Sequence, residues 1–437
     1  MNEFIYSEKS DFASAEELAV MQEQLLKRHL LYCRDNSPFY RDILNDMDIS
    51  GNSFDILEQL PLTDKSQLNA SPERFVAVAD REIRDIVFSS GTIGAPLPVP
   101  YTARDLKRLA YNEYRSFLAC GMTADDRVLL TCTLDRCFIA GLAYFEGVRA
   151  IGAAAIRNGL NSLESHAEVI RRLKPTVIVG VPSFLKRLAG FMAPSMQGAD
   201  GIRMLICIGE PVRDRELKLN SLGQTLAEQW QAKVYSTYAS SETITSFCDC
   251  SIGNGGHLLP DLGVAEILDE NGKTVPEGEP GELVMTPLQM EAMPLLRFRT
   301  GDITFMTRKT CACGRSSFRI GPILGRRQQM MKINGTTLYP QSVFTALENI
   351  PEVADYYILA HRNEHGLFTD AEVHVAFASE YRETCVALVR KRLAAHIRIK
   401  LPVLAEDISS LRTKVFSKEN RKPQRFFTVS GRYDDGI

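Results

Sequence analysis

Short apolar runs rich in β-branched residues alternate with amphipathic helical runs from about residue 85 onward. The predicted strands and helices are, in chain order, Asp85–Phe88, Ala103–Cys120, Arg127–Thr131, Leu163–Leu173, Thr176–Val181, Ser183–Met192 and Arg203–Ile208. This alternation predicts an α/β domain with largely parallel strands, because each strand is joined to the next through a helix. No single motif restricts the fold as strongly.

The segments on either side of this region have different patterns. The first 80 residues are predicted to be helical, with helical apolar spacing over Glu16–Cys33. From about residue 260, strands such as Gly263–Leu268 and Gly281–Thr286 are predicted, and after Gly325 the predicted elements are Asp355–Ala360, Ala371–Phe377 and Arg382–Ile399. We therefore predict an α/β protein with a large domain of mixed sheets and helices (1–327) and a small α+β domain (328–437).

The composition is that of a soluble globular protein, with 45% hydrophobic and 24% charged residues among 437. The net charge of −3 gives no reason to expect nucleic acid or an anionic membrane as partner. The longest apolar run, 138–148, contains Glu146 and is shorter than the roughly 18 residues that a membrane span needs. With no signal-peptide pattern at the N-terminus, we expect a cytoplasmic protein. Its oligomeric state stays open, with a dimer as one option.

A turn rich in small and hydroxyl residues, Phe88–Pro96 (FSSGTIGAP), directly follows a predicted strand. In such a turn, backbone N–H groups can point into one concavity and hold phosphate groups. The segment is not a Walker A loop, because no Gly-Lys-Ser/Thr follows at the required spacing. The turn alone does not establish a phosphate site, but other segments of the chain support this interpretation.

Several segments in order resemble acyl-adenylate-forming enzymes, and in detail phenylacetate–CoA ligases. The segments that carry this resemblance are NSPFYRDIL, LEQLPLTDKSQL, SSGTIGAP, Ile208–Pro211, Tyr235–Glu242, Arg299–Asp302, Gly325–Arg326 and Asn420–Arg425. Together they cover nearly the whole chain. The resemblance implies a large domain that binds ATP and a carboxylic acid, followed by a mobile small domain that carries a catalytic lysine.

The resemblance also implies residue roles in adenylation. Glu242 would hold Mg²⁺, Asp302 would bind the ribose, Tyr238 would flank the adenine, and Arg326 would lie near the ribose or a phosphate. Lys422 would neutralise charge on the α-phosphate and the carboxylate. The further ATP- or AMP-binding residues that it implies are Ser90, Gly91, Thr92, Gly94, Gly209, Glu210, Pro211, Ala239, Ser240 and Ser241.

The sequence departs from the family pattern at several positions. Ile93 replaces a hydroxyl residue of the phosphate loop, and Ala95 and Leu97 stand where lysine is common. Ala239 stands where glycine is usual, beside the acyl pocket. Gln328 occupies the hinge position that usually holds aspartate, and these ligases are thought to rotate the small domain about that residue.

By resemblance, the acid is aromatic or arylacetic and the thiol is coenzyme A. We expect the acyl pocket to be built from 138–145 and a loop at 238–241, with Phe138 and Tyr144 as wall residues. An apolar, aromatic-lined pocket suits a planar acid.

Two alternative functions remain open from the sequence. The acyl group could be transferred to the phosphopantetheine of a carrier protein or to an amine, as the altered hinge and loop residues suggest. The chain could also be a non-catalytic relative that binds a nucleotide, although retention of Glu242, Asp302 and Lys422 argues against this.

Four of the ten cysteines form two Cys-x-Cys pairs, at 248/250 and 311/313. Cys250 and His257 lie seven residues apart, and with Cys311 and Cys313 they make a Cys₃His set, which is typical of structural Zn²⁺ sites. Some phenylacetate–CoA ligase-like proteins carry a similar arrangement. Cys248 could replace Cys250, and reduced surface thiols are the alternative to a metal site. A full Cys₃His shell would leave no open position to activate water.

Overall fold

The computed structural model describes residues 7–89, 96–193, 199–333, 336–363, 367–378, 382–397, 399–416 and 423–430. The chain forms two compact units. The first comprises residues up to 219 together with 223–322, and the second comprises 220–222 and the residues from 323 onward.

Within the described residues, four α-helices precede the first strand and contribute apolar side chains to one core. They are α1 Ala15–Asn36, α2 Pro38–Leu44, α3 Ser53–Gln59 and α4 Lys65–Ala70. Helix α1 begins where the Ser14 side chain accepts the Glu17 N–H and the Glu17 carboxylate accepts the Ser14 N–H, a capping box. Leu26, Leu30 and Leu44 are at most 1% exposed, so these helices share the core of the first unit.

A nine-stranded sheet forms the centre of the first unit. Its strands are β3 Arg127–Leu130, β4 Ala154–Arg157, β5 Val177–Gly180, β6 Met204–Ile208, β7 Lys233–Ser240, β8 Thr245–Asp249, β9 Gly256–Leu258, β13 Met306–Thr307 and β14 Arg319–Ile320. The order is β13-β14-β9-β8-β7-β6-β5-β3-β4. Strands β4, β3, β5, β6 and β7 are parallel, whereas β8, β9, β14 and β13 extend the sheet antiparallel from β7. The sheet is therefore mixed.

Five helices accompany these strands: α5 Ala103–Cys120, α6 Ile139–Ile151, α7 Leu163–Leu173, α8 Pro182–Met192 and α9 Ser221–Trp230. The observed α5 and α7 have the predicted bounds. Helices α5 and α6 approach closely, since a Cβ built on Gly147 would lie 2.5 Å from the Glu113 Cβ. None of the helices within the described ranges is both long and apolar enough to cross a membrane.

Two smaller antiparallel sheets complete the first unit. One pairs β1 Ile83–Phe88 with β2 Pro98–Thr102. The other contains β10 Gly263–Leu268, β11 Gly281–Pro287 and β12 Phe298–Thr304. The segment between β1 and β2 contains the predicted phosphate loop.

The second unit is an α+β arrangement. Its elements are β15 Gly325–Arg326, β16 Met331–Ile333, β17 Thr336–Leu338, α10 Pro340–Glu348, β18 Val353–Arg362, β19 Phe368–Phe377, α11 Arg382–His396, β20 Val403–Ala405, α12 Ile408–Val415 and β21 Phe426–Ser430. A four-stranded sheet has the order β20-β19-β18-β21. Ile358, Val373 and Val375 are fully buried in its core. The predicted fold class, a large mixed domain followed by a small α+β domain, is confirmed.

Candidate active site and candidate metal centre

Two residues with predicted ATP-binding roles, Tyr238 and Asp302, are in direct contact. Tyr238 lies near the end of β7 and Asp302 lies in β12, and the Tyr238 hydroxyl donates to Asp302 Oδ2 at 2.8 Å. The Asp302 N–H donates to Thr300 Oγ1 at 3.1 Å, and Gly301 between them has φ +77°. That left-handed conformation suits glycine and bends the strand so that Thr300 and Asp302 are joined locally.

The predicted Mg²⁺ ligand Glu242 lies two residues after the end of β7 and is 2% exposed. Its Oε1 is 2.7 Å from the ammonium nitrogen of Lys65, the first residue of α4, whose side chain is 32% exposed. A buried carboxylate needs a nearby cation, because an isolated buried charge is costly. Lys65 belongs to the segment LEQLPLTDKSQL, and no role is predicted for it from the sequence.

A second residue without a predicted role, Arg108, shapes the turn after Glu242. Arg108 is fully buried, and its Nη1 donates to the carbonyls of Ile244 at 2.5 Å and Thr243 at 3.3 Å. Its Nε donates to the Leu288 carbonyl at 2.7 Å. Burial lowers the pKa of Arg108 to about 10, so the guanidinium stays charged at neutral pH.

The loop Gly209–Pro211 follows β6, beside the end of parallel strand β7. Crevices at the carboxyl ends of parallel strands are common ligand sites. Gly209 has φ +76° and is exposed, whereas Glu210 and Pro211 are half-buried. The Glu210 carboxylate accepts the Ser183 N–H at 2.8 Å and the Ser183 hydroxyl at 2.9 Å, near the start of α8. Glu210 therefore fixes this loop to a helix N-terminus.

The predicted loop 238–241 is in fact largely strand, since β7 continues to Ser240. The loop prediction was wrong because Tyr238–Ser240 are held by antiparallel pairing with β8. Ala239 is exposed, the Ser240 hydroxyl lies 3.0 Å from Thr243 Oγ1, and the Ser241 carbonyl accepts the Tyr101 hydroxyl at 2.7 Å.

The predicted phosphate ligands Ser90, Gly91, Thr92 and Gly94 lie outside the described residues, as does Lys422. The two ends of the loop are joined, because the Ser89 N–H donates to the Leu97 carbonyl at 2.9 Å. Strand β2 follows the loop and carries Tyr101, so this segment is linked to Ser241.

The predicted acyl-pocket residues have different environments. Phe138 is half-buried and immediately precedes α6. Tyr144 is 5% exposed, and its ring centroid lies 5.9 Å from that of Phe117 within the apolar core. Burial raises the pKa of Tyr144 well above its usual value. The structure therefore places Tyr144 inside the packed interior and Phe138 at its margin.

In the second unit, Arg326 is half-buried in β15. Gln328, the predicted hinge residue, is exposed in a short 3₁₀ turn, and its backbone carbonyl lies 3.5 Å from the Arg362 Nη2.

The Cys₃His set predicted from spacing converges in space. One ligand atom from each of Cys250, His257, Cys311 and Cys313 lies within 4.8 Å of the other three. The Cys250 and Cys311 sulfurs are 3.7 Å apart, and the Cys313 sulfur is 3.6 Å from His257 Nε2. Cys248 instead lies 3.4 Å from the Cys120 sulfur, so Cys250 is the cysteine that joins the cluster.

The chemistry of this cluster fits a cation. Burial raises the pKa of the Cys250 thiol to about 12, and a bound Zn²⁺ would favour the thiolate. Burial, with Arg315 and Arg319 nearby, lowers the pKa of His257 to about 4, so its imidazole is neutral and able to coordinate. His257 Nδ1 lies 3.1 Å from the Ser317 hydroxyl, which orients the ring so that Nε2 faces Cys313.

Comparison with known proteins identifies the family to which the chain belongs. Residues 14–290 match the AMP-binding enzyme family. A phenylacetate–coenzyme A ligase of Thermus thermophilus is 32% identical over 388 residues, which are 86% of this chain and 85% of that protein. A phenylacetate–coenzyme A ligase of Pseudomonas putida is 27% identical over 415 residues, which are 92% of each.

The fold is also that of a solved ligase. A 2-hydroxyisobutyryl-CoA ligase, crystallised in the postadenylation state with R3-HIB-AMP, matches with a TM-score of 0.84 at 20% identity. The match covers 99% of this chain and 93% of that one. The resemblance drawn from the motifs is thus confirmed: this chain belongs to the AMP-binding enzyme family, and phenylacetate–CoA ligases are its relatives over most of its length.

Proposed function

We propose that the protein is an ATP-dependent acid–thiol ligase that activates an aromatic or arylacetic carboxylate and transfers it to coenzyme A. The observation that carries this proposal is the contact between Tyr238 and Asp302, with Glu242 four residues after Tyr238. Residues with implied adenine, ribose and magnesium roles thereby lie around the end of one strand. The phenylacetate–CoA ligase relatives, which match most of the chain, support the same reaction class.

In the first half-reaction, a carboxylate oxygen attacks the α-phosphorus of ATP, the bond to the β-phosphate breaks, and pyrophosphate leaves. Asp302 would accept hydrogen bonds from the ribose, and Tyr238 would hold the Asp302 carboxylate in place while flanking the adenine. Glu242 would bind Mg²⁺, which supplies neutralising charge for the phosphates. Lys422 would offset the repulsion between the two reacting anions.

In the second half-reaction, the thiolate sulfur attacks the acyl carbonyl carbon and AMP leaves with the electrons of the carbon–oxygen bond. We propose that the C-terminal residues 328–437 move about Gln328 between the two steps. Phe138 would border the acyl group, with Tyr144 supporting the wall from the core, and an apolar wall favours a planar acid.

We further propose that Cys250, His257, Cys311 and Cys313 bind a structural Zn²⁺. Support comes from the convergence of the four side chains and from the nearly complete burial of Cys250 and Cys311. Gly253 and Gly314, each with positive φ, close the turns after Cys250 and Cys311 by donating to their carbonyls. We also propose that the protein is cytoplasmic, because its ten cysteines, which all lie within the described residues, form no disulfide.

The assigned role of Lys422 can be tested by measuring the two half-reactions separately. We expect Lys422→Ala to abolish acyl-AMP formation while thioester formation from supplied acyl-AMP continues. Lys400→Ala, at an exposed lysine of the same unit, should leave both unchanged. An equal loss in both half-reactions would contradict the role of Lys422. Acyl transfer to a carrier protein but not to free coenzyme A would contradict the assignment of coenzyme A as the acyl acceptor.

A further inference from the structure

A cleft of about 840 Å³ opens in the first unit between the loop at 215–217, the turn at 277–278 and the segment 305–309. Asn254 and Arg319 complete its wall. Its volume is within the range of small-molecule sites. None of these residues is among those that we propose to bind ATP, the acid or zinc.

The cleft has an excess of positive charge. Its wall carries four cationic side chains and two carboxylates: Arg215, Arg308, Lys309 and Arg319, against Glu216 and Glu277. The Glu277 Oε1 accepts the Thr307 hydroxyl at 2.9 Å and the Arg308 backbone N–H at 2.7 Å. One of the two carboxylates is therefore engaged by the wall itself.

The buried cation of the cleft is Arg319, which is 3% exposed. Its two terminal nitrogens donate to the backbone carbonyls of Asn254 and Lys309, whereas the buried Nε has no acceptor. Within the described part of the chain, Arg319 forms no ion pair. Because burying a charge without a counter-ion is costly, an anion in the cleft would relieve this cost.

The exposed cations of the cleft, like Arg319, are available to bind an anion. Across the ranges that the structure describes, Arg215, Arg308 and Lys309 form no ion pair, and all three are exposed. The Arg308 guanidinium lies 5.8 Å from the centroid of the Phe318 ring, which helps to orient it. Arg308 and Lys309 both line the cleft.

We propose that this cleft binds a ligand that carries two or more phosphate groups. Guanidinium groups match phosphate oxygens in geometry and charge, and several cations on one wall favour several phosphates. Inorganic pyrophosphate and a doubly phosphorylated nucleotide such as 3′,5′-ADP share this chemistry. The proposal does not depend on the ligase reaction.

The test is affinity labelling of Lys309 in the full chain with pyridoxal 5′-phosphate. The aldehyde condenses with the lysine amine with loss of water, and borohydride reduces the imine to a stable amine that peptide mapping locates. We expect Lys309 to be labelled about tenfold faster than Lys273, an exposed lysine outside the cleft, because the cleft concentrates the phosphate-bearing reagent. Pyrophosphate or 3′,5′-ADP should protect Lys309, and the more effective competitor identifies the source of the phosphates.

Arg308→Ala should slow the labelling of Lys309 towards the rate of Lys273. Arg172→Ala, at an exposed arginine of α7, is the matched control and should have no effect. Labelling of Lys309 no faster than that of Lys273, or labelling that neither competitor slows, would overturn the proposal. The readout is one peptide and not turnover, so its failure is distinguishable from failure of the ligase assignment.

Discussion

At the residue scale, the buried carboxylate of Glu242 and the ammonium of Lys65 form an ion pair, with 2.7 Å between Oε1 and Nζ. The pair joins α4 to the turn after β7. Removing one partner would leave the other charge without compensation, whereas removing both would not.

We expect Lys65→Met to lower the free energy of unfolding by about 1 to 3 kcal/mol, since the Glu242 carboxyl group would stay buried without its cationic partner. The double variant Lys65→Met/Glu242→Gln should lose less than the sum of the two single variants, by at least about 0.5 kcal/mol. Urea denaturation measures all three, with the exposed Lys107→Met as control. Additive losses would show that the pair does not interact.

The second prediction at the residue scale concerns the hydroxyl group of Tyr238, which donates a hydrogen bond to Asp302. Tyr238→Phe should reduce kcat/KM for ATP by about three- to tenfold, as expected for the loss of one hydrogen bond to a carboxylate. Tyr32→Phe also loses a hydroxyl donor, to the Glu291 carbonyl, and should leave this ratio unchanged. Equal effects of the two variants on kcat/KM for ATP would mean that Tyr238 does not position Asp302.

At the element scale, α5 packs against α6 and β8 and buries a carboxyl group at this junction. Glu113 is 2% exposed, and the Asn112 amide donates to its Oε1 at 2.9 Å. Burial raises the pKa of Glu113 to about 7. A raised carboxyl pKa in the folded state means that ionisation of Glu113 opposes folding, so stability is lost as the pH rises through about 7.

We therefore expect Glu113→Gln to be more stable than the parent protein at pH 8, by about 2 to 3 kcal/mol, and to lose that advantage near pH 4.5. The glutamine keeps an oxygen for Asn112 and cannot ionise. Denaturant unfolding of both proteins across this pH range gives the difference directly. A difference that is constant with pH would contradict the shifted pKa.

The Cys₃His cluster joins the turn after β8, strand β9 and the segment before β14. Cys250→Ser should lose bound zinc and show a lower Tm, because a closed site contributes its binding energy to folding. Cys248→Ser should keep one zinc per chain, since Cys248 contacts Cys120 instead. Atomic emission and thermal unfolding measure the two effects. Retention of zinc by Cys250→Ser would exclude Cys250 as a zinc ligand.

At the scale of the whole molecule, the sequence predicted the parallel half of the central sheet better than the rest. Val177–Gly180 is buried on both faces and therefore appears as a continuous apolar run. Two strands of the antiparallel extension, Met306–Thr307 and Arg319–Ile320, were not predicted because two residues are too few to show a periodicity.

In the candidate site, the residues that belong to local motifs were predicted, whereas residues with partners distant in the sequence were not. Asp302 and Tyr238 were identified through local motifs and are in contact, and the Cys₃His spacing located its cluster. Lys65 and Arg108 were missed because their partners lie more than 100 residues away, and only folding brings them to the segment after β7.

The most direct test of the central claim is carboxylate-dependent exchange between ATP and pyrophosphate, measured over aryl, arylacetic and fatty acids. AMP release is then measured with and without coenzyme A. We predict exchange with an aromatic or arylacetic acid and AMP release that coenzyme A stimulates. Absence of exchange with every acid, in a protein that still binds ATP, would contradict the assignment of this chain as an adenylate-forming ligase.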